Sequence, residues 1–282
     1  MTDNYGFCDL CLNYVEGDKK RLRELLLKVY SMGYATVAIN QNIDEIIFES
    51  EKKKKKKGSV GEPVVCNLPA PLEIEDLINE FKGKLKILTR ITFSFSDPVR
   101  THSLSQSSLL QRYNIFAVLP KNKNAFQHAC SQLNADLITL NLKNSGWKFT
   151  RKLYTQAVER GVHFEIKYAE VIQSATRKFA IHFAHLFYTF GKSKNVIISS
   201  GANDANLIRN PYDIVTLGSV LGLNEVRAKA SILWQCRQLI LKSQGRICGR
   251  TVFTIKCDHK ESDSESEDSD REEESAAKKM KL

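Results

Sequence analysis

Long uncharged hydrophobic stretches are missing from this sequence of 282 residues. No stretch reaches the roughly 18 apolar residues that a membrane-spanning helix needs. The first residues, Met1 to Asn4, are polar and lack the basic and then apolar segments of a signal peptide. We therefore expect neither a membrane span nor secretion.

A regular spacing is also missing from the seven cysteines, whose number is odd. Disulfide frameworks and zinc sites need paired cysteines at short, regular spacings. We therefore expect free, buried thiols in a reducing compartment. The cysteines are Cys8, Cys11, Cys66, Cys130, Cys236, Cys248 and Cys257.

Common catalytic and nucleotide-binding motifs are absent as well. The sequence contains no phosphate-binding glycine loop, no dinucleotide fingerprint and no nucleophile elbow around a serine. Cys8 and Cys11 are spaced like half of a metal site, but no second cysteine pair completes a tetrahedron. His182 and His185 share one predicted helix face without a neighbouring acid, which favours packing or surface roles.

Positive charge, by contrast, is abundant, and the net charge is +10 at pH 7. Residues 258–282 contain ten acidic and five basic residues, so residues 1–257 carry +15. A body this basic favours a polyanionic partner, because neutralising phosphates releases condensed counterions. From charge alone, a merely soluble basic protein is an equally good interpretation.

Short runs rich in β-branched residues alternate with amphipathic segments along the chain. In the first amphipathic segment Leu22, Leu25, Leu26 and Val29 recur at helical spacing, and Gly33 follows as a stop signal. Such strict alternation implies a parallel sheet with right-handed crossovers. The predicted strands are 6–12, 35–40, 85–95, 115–119, 136–140, 163–168 and 196–199. The predicted helices between them are 19–32, 72–81, 104–113, 124–133, 151–160 and 175–190.

After the seventh strand the pattern changes to helices only, at 212–221 and 224–241, followed by a short β-like piece at 251–256. The last α/β unit is thus incomplete. This favours a TIM-like (β/α) barrel of about seven parallel strands with a helical C-terminal part, spanning residues 1–257, over an open doubly wound sheet.

Two segments are too polar to join a core. The six-lysine run Lys52–Lys57 lies in a connection at about 50–62 that we expect to be disordered; it could contact RNA, direct nuclear import or simply be solvated. We also expect residues 258–282 to form a disordered acidic tail with a basic cluster at Lys278–Lys281. Its phosphorylation candidates, each with an acid three residues downstream, are Ser262, Ser264 and Ser269.

Catalytic groups of parallel barrels collect at the C-terminal ends of the strands. The residues predicted there are Asp9, Cys11, Asn13, Asn40, Arg90, Asp97, Lys121, Glu165, Lys167, Ser199, Ser200 and Asp204. A hydrolytic metal site needs several His, Asp or Glu ligands on one ion. This set offers isolated carboxylates, no histidine and several cations, so we predict no catalytic, cofactor or metal site.

Several stretches, in the same order along the chain, are typical of one family. They are Gly33–Asn40, Lys86–Thr92 with Ser96–Pro98, Asn195–Ser200, and Pro211–Ile214 continuing to Leu217–Gly218 and Leu221–Leu223. Over roughly residues 6 to 257 the chain resembles the thirty-kilodalton protein subunit of eukaryotic and archaeal ribonuclease P, shared in eukaryotes with ribonuclease MRP.

That family is related to the polymerase-and-histidinol-phosphatase metalloenzymes, whose first strand carries an Asp-Leu-His-x-His metal motif. Asp9 and Leu10 match its start, but Cys11 and Asn13 occupy the two histidine positions. The resemblance therefore implies a barrel without catalysis of its own, in a particle whose RNA removes the 5′ leader of precursor tRNA and, for ribonuclease MRP, processes ribosomal RNA.

The resemblance also implies partners and a location. We expect contacts with ribonuclease P and MRP RNA through backbone phosphates, an indirect relation to precursor tRNA, a small ferredoxin/RRM-like subunit as protein partner, and residence in the nucleus and nucleolus. The candidate RNA-binding residues are Arg90, Arg177, Lys178, Arg209, Lys121 and Lys123. The competing hypotheses are a metal-dependent phosphoesterase on the same barrel and a basic protein-interaction scaffold.

Overall fold

Seven parallel strands form one sheet, in which the spatial order of the strands equals their order along the chain. The structure is a computed structural model that describes residues 6–15, 17–45, 68–105, 107–140 and 149–248. The strands are β1 Cys8–Asn13, β2 Thr36–Asp44, β3 Lys86–Phe95, β4 Ile115–Pro120, β5 Leu137–Ile138, β6 His163–Lys167 and β7 Val196–Ser199. All seven predicted strands are confirmed, and β5 is shorter than predicted.

The sheet curls until its first and last strands meet, so the fold is a nearly closed TIM-like barrel, as predicted. At the seam a parallel bridge joins Leu12 and Ala202, where the Asn13 backbone amide donates to the Ala202 carbonyl at 2.8 Å. A side-chain hydrogen bond also joins the two strands at the seam, since Asp9 Oδ1 accepts the Ser200 backbone amide at 2.9 Å. The β1–β2 register shifts between Asp9 and Leu12, and such an irregularity bends a strand toward closure.

Helices surround the barrel and extend the C-terminal part. Among the described residues they are α1 Lys19–Ser31, α2 Glu75–Glu80, α3 Pro98–Ser105, α4 Lys123–Ser131, α5 Arg151–Glu159, α6 Tyr168–Ile172, α7 Ser174–Gly191, α8 Pro211–Val220, α9 Glu225–Ile232 and α10 Trp234–Cys248. In α1 the four predicted apolar residues are buried, Asp18 caps the first turn, and Gly33 follows with φ of +91°. No helix of the described residues is both long and apolar enough to span a bilayer.

Two predicted helices are wrong in detail. The helix predicted at 104–113 begins earlier, at Pro98, and is followed by a short 3-10 helix at Ser108–Arg112. Proline suits the first helical position, whereas the serines of this segment favour turns and caps over helix interiors. The helix predicted at 224–241 is interrupted at Leu233, whose φ and ψ of −125° and −78° separate α9 from α10.

Several predictions fall on residues that the structure does not describe. The lysine-rich connection, the β-like piece at 251–256 and the acidic tail with its phosphorylation candidates lie outside the described residues. Cys66 and Cys257 do so too. Of the described cysteines, none is in a disulfide; Cys248 is exposed, and the buried ones, as predicted, are Cys8, Cys11, Cys130 and Cys236.

The N-terminal end of the barrel is closed by α10. Its Cys236, Leu239 and Ile240 form one buried cluster with inward-facing side chains of the strands. Those strand residues are Cys8, Leu10, Ala38, Leu88, Ile115, Ala117, Leu137 and Ile197. Outward-facing strand residues instead pack under the helices, as Phe164 of β6 does against Phe187 of α7. Helix α10 of the C-terminal part therefore fills the N-terminal end of the barrel interior.

His163 makes this end of the barrel sensitive to acid. The side chain is 3% exposed, and burial, reinforced by the positive charge of Lys242, lowers the pKa of His163 to about 3 from 6.5. Below pH 6.5 the unfolded chain therefore binds a proton that the folded chain excludes. We expect His163 by itself to lower the free energy of unfolding by about 1.4 kcal/mol per pH unit between pH 6.5 and 4.5. Urea unfolding at several pH values measures this loss.

The matched variant is His163→Asn, which removes the titrating ring. Its free energy of unfolding should depend on pH with a slope smaller by about one proton than that of the wild type. Equal slopes in the two proteins would contradict the assignment to His163.

Candidate functional site

The C-terminal end of the barrel interior is occupied by a buried ion pair. Arg90 of β3 and Glu165 of β6 face each other across the barrel with both side chains 0% exposed. Arg90 Nη1 and Nη2 donate to Glu165 Oε1 and Oε2 at 2.5 and 2.7 Å. Arg90 Nη1 also donates to the Leu10 carbonyl at 2.7 Å, and Ser199 Oγ donates to Glu165 Oε1 at 2.7 Å. The pair thereby connects β1, β3, β6 and β7.

Polar side chains continue from the ion pair toward the seam of the barrel. Arg90 Nε donates to Thr92 Oγ1, and this hydroxyl donates to Asn40 Oδ1 at 2.6 Å. Asn40 Nδ2 donates to Asn13 Oδ1 at 2.9 Å, and Asn13 Nδ2 donates to the Gly201 carbonyl at 2.8 Å. These polar groups are thus hydrogen-bonded to one another and to the backbone, at the place where barrel enzymes hold their catalytic residues.

The electrostatics of this end are unsuited to acid–base chemistry near neutral pH. Burial alone would raise the pKa of Glu165, but the charge and hydrogen bonds of Arg90 lower it to about 2. Glu165 therefore stays ionised and paired. Burial raises the pKa of Asp9, although its Oδ1 accepts the Ser200 and Cys11 amides. Neither carboxyl group has both the protonation state and the access that a general acid or base requires.

The donor set here does not fit a metal centre. Burial raises the pKa of the Cys11 thiol to about 12, whereas a cysteine binds metal as the thiolate. Asn13 contributes a neutral amide already bonded to Asn40, and Glu165 is neutralised by Arg90. Over the described residues, no group of three or more His, Cys, Asp or Glu side chains is arranged to hold an ion.

The two cysteines of the first strand are buried in different environments, whereas the two histidines of α7 lie on the surface. Cys8 belongs to the apolar cluster over α10, whereas Cys11 lies beside the charged Arg90 and Glu165. His182 and His185 are both exposed on α7. The Ser200 hydroxyl donates to the Cys11 carbonyl and accepts the Ala202 amide, as expected of a serine at the end of a strand.

Arg90 corrects a sequence-based prediction. We expected it to contact RNA, but its guanidinium is enclosed in the barrel and cannot reach a phosphate. Arg177 is exposed, yet it bonds the Val171 and Ile172 carbonyls at the end of α6. Arg209 is also exposed and donates to the Asn206 carbonyl at 2.8 Å.

The three candidate lysines differ in their pairing. Lys121 forms a partly exposed ion pair with Asp44. Lys123 and Lys178 are exposed, and within the described residues neither forms an ion pair. These two lysines are therefore the most available cations of the six candidates.

A second set of cations lies at the opposite, N-terminal end of the barrel, which sequence reasoning missed. These exposed residues, none in an ion pair within the described part of the chain, are Lys82, Lys84, Arg112, Lys192, Lys194 and Arg227. Five of them directly precede β3, β4 or β7 in the sequence, and that position was a usable signal. It was overlooked because barrel enzymes place function at the other end.

The fold and these charges define a basic TIM-like barrel protein. A family model described as RNase P subunit p30 matches residues 6–247, so the chain belongs to this family. The family match ends at residue 247, whereas the sequence resemblance is expected to extend to about residue 257.

Individual relatives agree with this assignment. "Ribonuclease P protein subunit p30" of Mus musculus is 34% identical over 253 residues, which cover 89% of each chain. "Ribonuclease P/MRP protein subunit RPP1" of Saccharomyces cerevisiae is 27% identical over 216 residues, covering 75% of this chain and 68% of the relative.

A solved structure shares the fold. The chain matched in a cryo-EM structure of archaeal ribonuclease P with mature tRNA has a TM-score of 0.62 and 14% identity. The match covers 88% of this chain and 98% of the archaeal one.

Proposed function

We propose that this protein is a subunit of a ribonuclease P ribonucleoprotein, in which it binds the RNA and partner subunits and does not itself cleave. The observation that carries the proposal is the family match over residues 6–247, nearly all of the barrel. The mouse relative, aligned over 89% of its own length, supports a role for the whole protein rather than for a shared fragment.

The chemistry of the barrel interior supports a non-catalytic role. A phosphoesterase needs an accessible nucleophile, a group that moves protons, or an ion that activates water. At the C-terminal end Arg90 and Glu165 neutralise each other, and Cys11 is a buried neutral thiol. Phosphodiester cleavage is therefore assigned to the RNA of the particle.

The charge of the barrel supports RNA as a direct partner. Residues 1–257 carry a net charge of +15, and structured RNA is recognised mainly through its shape and its phosphates. Of the residues suggested by the sequence, Lys123, Lys178 and Arg209 remain exposed and serve as candidate phosphate contacts. Arg177 and Lys121 are secondary candidates, because Arg177 bonds carbonyls through both Nε and Nη2 and Lys121 is paired with Asp44, whereas the bonds given for Arg209 involve Nη1 alone.

The wider assembly follows from the same assignment. The yeast relative is named as a subunit of both ribonuclease P and MRP, which supports a second role in ribosomal RNA processing. We further propose a small ferredoxin/RRM-like subunit as protein partner, precursor tRNA as an indirect one, and a nuclear and nucleolar location.

The decisive experiment is affinity purification of the tagged full-length protein from nuclear extract, followed by RNA sequencing and a precursor-tRNA assay. We expect one structured non-coding RNA and cleavage of the 5′ leader. Treatment with a calcium-dependent nuclease, then inactivated by chelation, should abolish cleavage. The purified protein alone should not cleave with magnesium or manganese.

Three outcomes would overturn the proposal. Cleavage by the protein alone, or cleavage that survives RNA digestion, would establish a phosphoesterase. Recovery of proteins without an enriched RNA would instead favour the basic interaction scaffold.

A further inference from the structure

A cavity of about 320 Å³ opens at the N-terminal end of β7, between the end of α7 and helix α9. It is distinct from the polar groups around Arg90 and lies at the other end of the barrel. Lys192, Lys194 and Arg227 line it together with Ser193 and Ser231. We call it the α7–α9 cavity. Its volume is at the lower end of the range for small-ligand sites, which suits a compact group.

The charge of the α7–α9 cavity is of one sign. No acidic residue lines it, and its three cationic residues are exposed. Within the described residues none of the three is neutralised by an ion pair. Arg227 Nη1 bonds the Lys192 carbonyl, which leaves further N–H groups of this guanidinium for an anion. Three cations around one concave site attract a compact anion such as a phosphate group.

The loop that forms one wall is held in an unfavourable conformation. Lys192, Ser193 and Asn195 have φ of +52°, +56° and +55°, a region that residues other than glycine rarely adopt. Surrounding bonds hold the loop, because Tyr154 donates its hydroxyl to the Lys194 carbonyl and Asn195 Nδ2 donates to the Val162 carbonyl. Lys192 is the left-handed C-cap of α7, where glycine would cost less, and its ammonium group lies 5.1 Å from the centre of the Tyr188 ring.

Ser193 adds an unsatisfied hydroxyl group to this wall. Its Oγ is buried and has no hydrogen-bond partner in the described part of the chain. A buried hydroxyl group without a partner costs free energy.

We propose that the α7–α9 cavity binds a backbone phosphate of the ribonuclease P RNA, so that the N-terminal end of the barrel faces the RNA. This inference rests on the proposed function and adds the surface that carries it. The remaining cations, Lys82, Lys84 and Arg112, precede β3 and β4 and add positive charge to the same end of the barrel.

The test compares two triple variants with the same change in charge. The cavity variant is Lys192→Gly, Lys194→Gln and Arg227→Gln, in which glycine also relieves the backbone strain. The control is Lys20→Gln, Arg151→Gln and Lys152→Gln, which removes exposed cations of α1 and α5 that form no ion pair in the described residues. Affinity for a ribonuclease P RNA transcript is measured against salt, and thermal unfolding checks each fold.

The cavity variant should bind at least tenfold more weakly at about 0.1 M salt, and its slope of log affinity against log salt should be smaller by about 1, as expected for the loss of one phosphate contact. The control should keep the wild-type slope and affinity. Equal losses in both variants would overturn the inference, because they would reflect overall charge. So would a cavity variant that binds RNA normally but loses binding to polyglutamate, which would assign the cavity to an acidic protein. Failure of the wild type to bind the transcript would instead overturn the proposed function.

Discussion

Replacing Arg90 by alanine should lower the free energy of unfolding by about 3 to 5 kcal/mol, because it leaves the Glu165 carboxylate buried without its counter-charge. The Leu10 carbonyl and Thr92 would also lose a hydrogen-bond donor. Urea unfolding at pH 7 measures the loss. From the sequence alone, this substitution is expected to lower RNA association without unfolding the barrel.

A double variant separates the charge from the packing. Arg90→Met with Glu165→Leu fills the space with apolar groups and removes both charges, so it should recover most of the stability. If Arg90→Ala were as stable as the wild type and bound RNA more weakly, the buried pair would be disproved and Arg90 would return to the RNA surface.

Replacing Leu239 by alanine should destabilise the protein by about 2 to 5 kcal/mol, because it opens a cavity where α10 fills the N-terminal end of the barrel. Leu239 is 0% exposed and packs in the cluster that includes Ile115 and Ile197. Thermal and urea unfolding measure the effect.

Cys248→Ala, at the exposed end of the same helix, is the matched control. It should change the free energy of unfolding by no more than about 0.5 kcal/mol. Equal effects of the two substitutions would show that α10 does not close the barrel in solution.

The strands were predictable because each is a short run of β-branched and apolar residues with a turn signal beside it. The same periodicity identified the buried face of α1. The interruption at Leu233 was not visible, because no glycine or proline marks it. It is set by tertiary packing, since α9 packs beside α8 whereas α10 passes beneath the barrel.

The candidate site was predictable only in part. The poor metal chemistry of the C-terminal end followed from Cys11 and Asn13, which stand where the metal motif implied by the resemblance has its two histidines. Arg90 was misassigned because an arginine in a strand is usually exposed unless a carboxylate meets it. Its partner Glu165 is 75 residues away in the chain, and only the curvature of the sheet brings the two together.

The sequence by itself determined the order of strands and helices, the parallel barrel and the family, because these depend on local periodicity and on residues that occur in a fixed order. The tertiary structure alone decided which cations face solvent. Arg90 of β3 is paired inside the barrel, while Lys192, Lys194 and Arg227 surround a cavity at its other end. The physical reason is that burial and ion pairing depend on contacts between residues distant in the chain, which neither charge nor periodicity encodes.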